Sequence, residues 1–254
     1  MSKFETEGIV LKQFDLGEAD KIITFYTKDN GKVRAVARGV KKPRSKISGL
    51  VQLFTYNKIT FYKGRSLERI NHIENIYPFS SLRNNLNKMA YASYIAEYVE
   101  KVGMENNPNP DIFNLLLEAF YNLMKNDNNK LEKINLIFVL RLLKYIGFEP
   151  VIDKCIKCNN KIEPAYNNIF DIKQGGLLCE KCFDNSKENI FILNGETLAV
   201  MRKFILEGFS ASKSLSISNK SKKNLIKFID YFIIYHLDFK LKSTEFLNMI
   251  RDLG

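Results

Sequence analysis

Residues 8 to 38 read GIVLKQFDLGEADKIITFYTKDNGKVRAVAR, and how this run is read decides the fold of the first part of the chain. GIVLKQF and KIITFYT are β-rich segments flanking the polar loop DLGEAD. KDNGK follows with Asn30-Gly31, a strong hairpin signal because glycine reaches positive φ without steric cost. KVRAVAR then alternates. Val33, Ala35 and Ala37 face one way, and Lys32, Arg34 and Arg38 the other, the period of two of a half-buried strand. Downstream, LFTYNKITFYKGR (53–65) and LERINHIENIY (67–77) supply two more strands. Five short strands with no long helix between them predict a small closed or nearly closed barrel, and an OB-fold fits that count.

From residue 81 the period changes from two to three and four. In NKMAYASYIAEYVEKV, Met89, Ala92, Ile95, Ala96, Val99 and Val102 form an amphipathic stripe. NPNPD breaks the chain and places Asp111 as the N-cap of IFNLLLEAFYNLM. LEKINLIFVLRLLKYIGF is apolar nearly all round, as the central helix of a bundle would be, and Gly147 and Pro150 end it. After a cysteine-bearing insert, NGETLAVMRKFILEG, KSKKNLIKFIDYFIIYHL and STEFLNMI return to helix. The expected organisation is multidomain α+β: a barrel over 1–80, a helical domain over 81–149 resumed over 191–254, and an insert over 150–190.

That insert carries all four cysteines of the 254-residue chain. Cys155 and Cys158 form CIKC, and Cys179 and Cys182 form CEKC, the C-x2-C … C-x2-C spacing of a four-cysteine zinc site. The intervening IEPAYNNIFDIKQGGLL is β-like with a Gly175-Gly176 turn, which suits a zinc ribbon. Unrelated buried cysteines would rarely fall into two such pairs, and a thioredoxin-like redox motif needs one pair, not two. With sulfur at all four positions there is no open site for water or substrate, so the Zn²⁺ expected here, one per chain, is structural.

Charge points to the partner. The formal net charge is +11 and the pI about 9.3, a balance suited to a polyanion. Residues 1–80 hold 15 Lys/Arg against 8 Asp/Glu, so +7 of the excess lies in the barrel. KVRAVARGVKKPRSK (32–46) concentrates it: Lys32, Arg34, Arg38, Lys41, Lys42, Arg44 and Lys46, with no acid. A solvated strand face is the bland reading. Against it, the strand cations share one face and run straight into a loop bearing four more. A nucleic-acid groove follows, with Phe25, Tyr26, Tyr56 and Tyr62 as candidate stacking residues. About five phosphates held on a single strand would give a salt slope near −3.5.

Other classes find less support. MSKFETEGIV has acids where a secretory leader would be apolar, and the most apolar windows are interrupted by Arg141 and Lys144 and by Lys227 and Asp230. The expectation is a cytoplasmic protein without membrane association, its cysteines reduced. Neither His72 nor His236 sits near a nucleophile pattern, and phosphate-loop, dinucleotide, HExxH and GxSxG motifs do not occur. Asp15, Glu18 and Asp20 are explained at least as well by turn formation. Two alternatives stay open: a zinc-ribbon nuclease, which should need a carboxylate cluster and divalent metal, and an RNA-binding OB module.

Taken together, EGIVLKQFDLGEADKIITFYTKDNGKV, ARGVKKPRSKISGLVQLFTYNKITFYKGR, the CIKC…CEKC insert and YHLDFKLKSTEFL resemble the RecO family of bacterial DNA repair proteins over essentially the full length. The resemblance implies an N-terminal OB-fold β-barrel, then an all-α helical domain with a zinc-binding insert, and no enzymatic turnover. It implies binding of single- and double-stranded DNA, strand annealing, and RecA loading with RecR in the RecF pathway. It also implies docking of the acidic, apolar C-terminal tail of the single-stranded DNA-binding protein on the helical domain. The seven cations of 32–46 would be the DNA face, and Arg141 and Lys144 are candidates for the tail-docking pocket.

Overall fold

The computed structural model describes residues 2–165, 167–184 and 188–252. The chain forms two compact units, residues 1–131 with 241–254, and residues 132–240.

The first unit begins with five strands: β1 (Lys3–Leu16), β2 (Asp20–Thr27), β3 (Gly31–Ala37), β4 (Tyr56–Tyr62) and β5 (Glu68–Tyr77). They close into a barrel of order β1-β2-β3-β5-β4, with β1 pairing β4 through its first half and β2 through its second. All pairs are antiparallel except the β3–β5 closure, where Ala35 lies opposite Glu68 and Val36 opposite Arg69. This is the OB-like barrel expected from the strand count. Val10, Ile23, Phe25, Val33, Ala35, Ala37, Ile59, Phe61 and Ile73 fill it, and Val40 and Val51 from the turn-rich connection between β3 and β4 complete the core. The alternation read in KVRAVAR is therefore the pleat of β3, with Val33, Ala35 and Ala37 inside.

Gly31 closes the β2–β3 hairpin at φ 66°. A Cβ there would stand 2.5 Å from the Met104 carbonyl oxygen, so the position needs glycine both for its conformation and for the close approach of the 104–107 segment. β1 carries a bulge between Val10 and Lys12, which reverses the side-chain parity of everything after it.

The helices of this unit are α1 (Ser80–Arg83), α2 (Leu86–Val102), α3 (Pro110–Lys125) and, from the far end of the chain, α8 (Ser243–Asp252). Asn85 caps α2 by accepting from Lys88 N–H. The cap of α3 is Asn109, not the expected Asp111, which lies in the first turn. The reason is Pro110: lacking an N–H and fixed near helical φ, it takes the first helical position and moves the cap one residue ahead of itself.

α4 (Asn128–Tyr145) contains the boundary of the two units, and its side chains from Leu131 to Leu143 are mostly buried, as its continuous apolar run requires. The second unit continues with β6 (Asn167–Asp171), β7 (Gly176–Leu178) and β8 (Ile190–Asn194) in the order β7-β6-β8. α5 (Gly195–Glu207), a 3-10 turn (Gly208–Ser210), α6 (Ala211–Ser214) and α7 (Asn219–Leu237) follow. β6 is seated on α7 by Phe170, whose ring meets Phe228 at 4.9 Å and Phe232 at 6.0 Å. β8 has no counterpart in the sequence reading. Among the described residues, no helix is long and apolar enough to cross a membrane.

Candidate nucleic-acid interface and metal centre

The structure separates the seven cations of 32–46 into distinct groups. Arg34 and Arg38 lie on the outer face of β3 and just beyond its end, and both are exposed. Lys42, Arg44 and Lys46 are exposed on the turn-rich connection that follows. Lys32 is not with them. Its ammonium donates to the Glu100 carbonyl oxygen at 2.9 Å, near the C-terminal end of α2, and its backbone N–H donates to Met104. Lys41 is held by a carboxylate, its Nζ 3.0 Å from Asp15 Oδ2. The ammonium of Lys41 in turn keeps the Asp15 carboxyl below the usual range. Asp20 accepts from Gly39 N–H at 2.7 Å. Of the acids of DLGEAD, Asp15 thus pairs with lysine and Asp20 shapes a turn.

Three cations that the sequence reading did not single out join Arg38. A concavity of about 680 Å³ is lined by Arg38, Lys63, Arg65 and Arg69 together with Leu16, Val36, Leu67 and a single acid, Asp20. It lies between the β1–β2 turn, the end of β3 and the β4–β5 turn, the position at which OB barrels bind oligonucleotides. The β3–β5 pairing brings Arg69 beside Val36, and YKGR, the end of β4 and the turn after it, brings Lys63 and Arg65. A basic turn containing glycine was the available signal. Three arginines and one lysine against a single aspartate give the lining of this hollow a positive balance that a phosphate chain neutralises.

Most of the candidate stacking aromatics are unavailable. Phe25 is inside the barrel. Tyr26 is on the outer face but 1% exposed, since Gly103 lies against its ring; burial pushes its hydroxyl up to about 12. Tyr56 is buried as well, and burial together with its hydrogen bond to the Glu7 carboxylate raises its pKa. Only Tyr62 keeps partial exposure. The aromatic that does stand out on the barrel is Phe14, 46% exposed.

The four cysteines converge. Their Sγ atoms all lie within 4.8 Å of one another, and Cys158 and Cys179 are 3.7 Å apart. That separation matches the roughly 3.8 Å between sulfurs that each stand about 2.3 Å from one tetrahedral ion. Local backbone builds each knuckle: Asn159 N–H donates to Cys155 O with Asn159 at φ 60°, and Cys182 and Phe183 N–H both donate to Cys179 O. Burial raises the Cys155 thiol, but the N–H groups of Cys158, Cys179 and Lys157 outweigh it and bring it down to about 6. Cys182, crowded by Cys179 and Cys158, is pushed up to about 12. Four sulfurs this close cannot all ionise without a cation among them. The donor set therefore fits a thiophilic metal ion.

Arg202 fixes the first knuckle to α5. Its guanidinium donates to Ile152 O at 2.6 Å and to Ile162 O at 2.5 Å, and its Nε is 3.1 Å from Asp153 Oδ1. On α4, Arg141 donates to Tyr145 hydroxyl and lies against Gly208, while Lys144 is exposed, 3.8 Å from Glu149. His72 is exposed beside Glu74, and His236 Nε2 is 2.7 Å from the Ile172 carbonyl oxygen.

Comparison with known proteins agrees with this architecture. Residues 1–79 match the model of the recombination protein O N terminal family and residues 83–245 that of the recombination protein O C terminal family. The chain is 34% identical over 200 residues to a DNA repair protein RecO of Acetivibrio thermocellus, covering 79% of this chain and 78% of that one. It is 31% identical over 248 residues to the DNA repair protein RecO of Pelotomaculum thermopropionicum, covering 98% and 94%. Against the protein of that name from Bacillus subtilis it is 30% identical over 247 residues, covering 97% and 94%.

Proposed function

The chain belongs to the recombination protein O family, and from that premise we propose that it is a DNA-binding mediator of recombinational repair. It binds single- and double-stranded DNA, anneals complementary strands and assists RecA loading together with RecR, without cleaving or joining bonds itself. The observation that carries this reading is the hollow lined by Arg38, Lys63, Arg65 and Arg69 at the rim of the barrel, with Arg34 exposed on the adjoining strand. Such cations hold phosphates without regard to sequence. Annealing asks for that chemistry: two backbones must be brought together against their repulsion, and the paired product must still leave.

The ion proposed for the four cysteines is Zn²⁺, one per chain, in a structural role. The site would hold it through Cys155, Cys158, Cys179 and Cys182, and its binding free energy, roughly 10–16 kcal/mol in small zinc modules, would become folding energy of the insert. Docking of the acidic, apolar tail of the single-stranded DNA-binding protein is proposed for the region of Arg141 and Lys144 on α4, where a carboxylate-rich segment would meet two cations. Action in the cytoplasm, on the nucleoid, follows from the same reading.

The test is strand annealing and equilibrium binding, measured across ionic strength. Replacing Arg34, Arg38, Arg65 and Arg69 by Ala should weaken single-strand and duplex binding and flatten the salt slope from about −3.5 towards zero. Unchanged affinity and slope would remove the barrel groove from the DNA path. Incubation with Mg²⁺ and labelled DNA should leave the strands intact, and the appearance of cleavage products would favour a nuclease instead.

A further inference from the structure

The bulge in β1 has a consequence for what the barrel binds. Val10 points into the core, and simple alternation would send Phe14 and Leu16 there too. The extra residue at Leu11 reverses the parity. Beyond it Lys12 pairs Thr24, Phe14 pairs Ile22 and Leu16 pairs Asp20, on the outer face. β3 continues these rows, since Thr24 pairs Arg34 and Ile22 pairs Val36, and β5 adds Arg69 beside Val36.

The outer face therefore carries an apolar strip, Phe14–Ile22–Val36, running across three strands. At about 4.8 Å per strand it is roughly 10 Å long. The row on one side bears Lys12, whose Nζ lies 3.9 Å from the Glu100 carboxylate, the buried Thr24 and the exposed Arg34. The row on the other bears Leu16, Asp20, whose carboxylate accepts from Gly39 N–H at 2.7 Å, and, where β3 ends, Arg38, which opens into the hollow with Lys63 and Arg65. Phe14 is 46% and Leu16 40% exposed. Lys12 Nζ stands 4.8 Å from the Phe14 ring centroid.

We infer that Phe14, on this strip, is a base-stacking residue that makes the barrel groove select single-stranded over duplex nucleic acid. The inference rests on the proposed DNA-binding role of the same groove. An unpaired strand can lay its bases on an apolar surface while its phosphates meet cations about 7 Å away on either flank. A duplex keeps its bases stacked inside and offers only phosphates to the arginines. The strip thus adds a contact open to one form and closed to the other, and the cations serve both.

The experiment compares a thymidine oligomer with a matched duplex, using the full chain. Phe14→Ala should weaken oligomer binding roughly 5- to 150-fold, the range for loss of one base–aromatic stack. Duplex affinity and the salt slope of oligomer binding should stay as they were, because no phosphate contact is lost. Phe14→Tyr should restore the oligomer affinity. The inference is overturned if Phe14→Ala, with an unchanged melting temperature, weakens both ligands equally or neither. Loss of binding in the arginine variants alongside that result would leave the basic groove standing without the stack. Arginine variants that bind both ligands normally would remove the groove reading itself.

Discussion

Asp15 is the residue that limits the electropositive surface of the barrel. It accepts Lys41 at 3.0 Å and has Lys21 at 3.9 Å, so two cations in the neighbourhood of the groove are partly neutralised by one carboxylate. The pairing is largely exposed and adds little to stability, but it takes charge away from a phosphate. Asp15→Asn should release Lys41, tighten single-strand binding about two- to fivefold at low salt and steepen the slope by about 0.7 if Lys41 takes up one phosphate. A titration series at several salt concentrations reads both numbers, and no change in either would place Lys41 away from the DNA. Lys41 was legible as a cation in KVRAVARGVKKPRSK. Its partner was not, because Asp15 lies 26 positions earlier and meets it only through the packing of the β1–β2 turn beside Gly39–Lys41.

At the level of elements, the cysteine knuckles show how much of a site spacing can specify. Two C-x2-C pairs on short hydrogen-bonded turns bring two sulfurs each, and the β6–β7 hairpin between them brings the pairs together. What spacing does not specify is the clamp that holds the first knuckle on α5. Arg202 satisfies the carbonyls of Ile152 and Ile162, which would otherwise be left without that donor. Arg202→Met keeps the apolar stem and removes the donors. At a cost of about 1–3 kcal/mol for the orphaned carbonyls, zinc affinity should fall roughly tenfold. Competition with a chromophoric chelator measures it, and an affinity equal to that of the unaltered chain would mean the knuckle stands without the clamp. The cysteine pattern named its own ligands, whereas an arginine in the middle of a helix looks the same whether it faces solvent or a backbone.

On the scale of the whole molecule, the first unit is made from both ends of the chain, and Glu97 is where they are joined. Its carboxylate accepts from the N–H groups of Lys242 and Ser243 at 3.0 and 2.8 Å, tying the start of α8 to α2. Burial raises the Glu97 carboxyl, but the Ser243 and Lys242 donors outweigh it and hold the group below its ordinary value. A depressed carboxylate contributes stability that is present above its unfolded value, about 4.3, and lost as pH falls through the folded value. The C-terminal segment should therefore loosen as pH falls through the folded value. Glu97→Gln should weaken the junction by about 1–2 kcal/mol at neutral pH and abolish that acid step. Limited proteolysis within residues 241–252 across pH follows it, and identical profiles for the two proteins would exclude Glu97 as the latch.

Features that rest on local chemistry can be read directly from the order of the residues. The alternation of Val33, Ala35 and Ala37 marked a strand with one buried face, the Asn30-Gly31 turn marked its hairpin, and the cysteine spacing marked a four-sulfur cluster. These signals survive because each depends on residues a few positions apart. Which cations meet and which aromatics reach solvent depends instead on how distant segments pack. Lys63, Arg65 and Arg69 join Arg38 only because β3 and β5 pair in parallel to close the barrel. Tyr26 is hidden only because Gly103 brings the end of α2 onto its ring. Phe14 is outside because one bulged residue shifts the pleat by a single step. In a barrel that step exchanges inside for outside, and only the hydrogen-bond register of the paired strands records it.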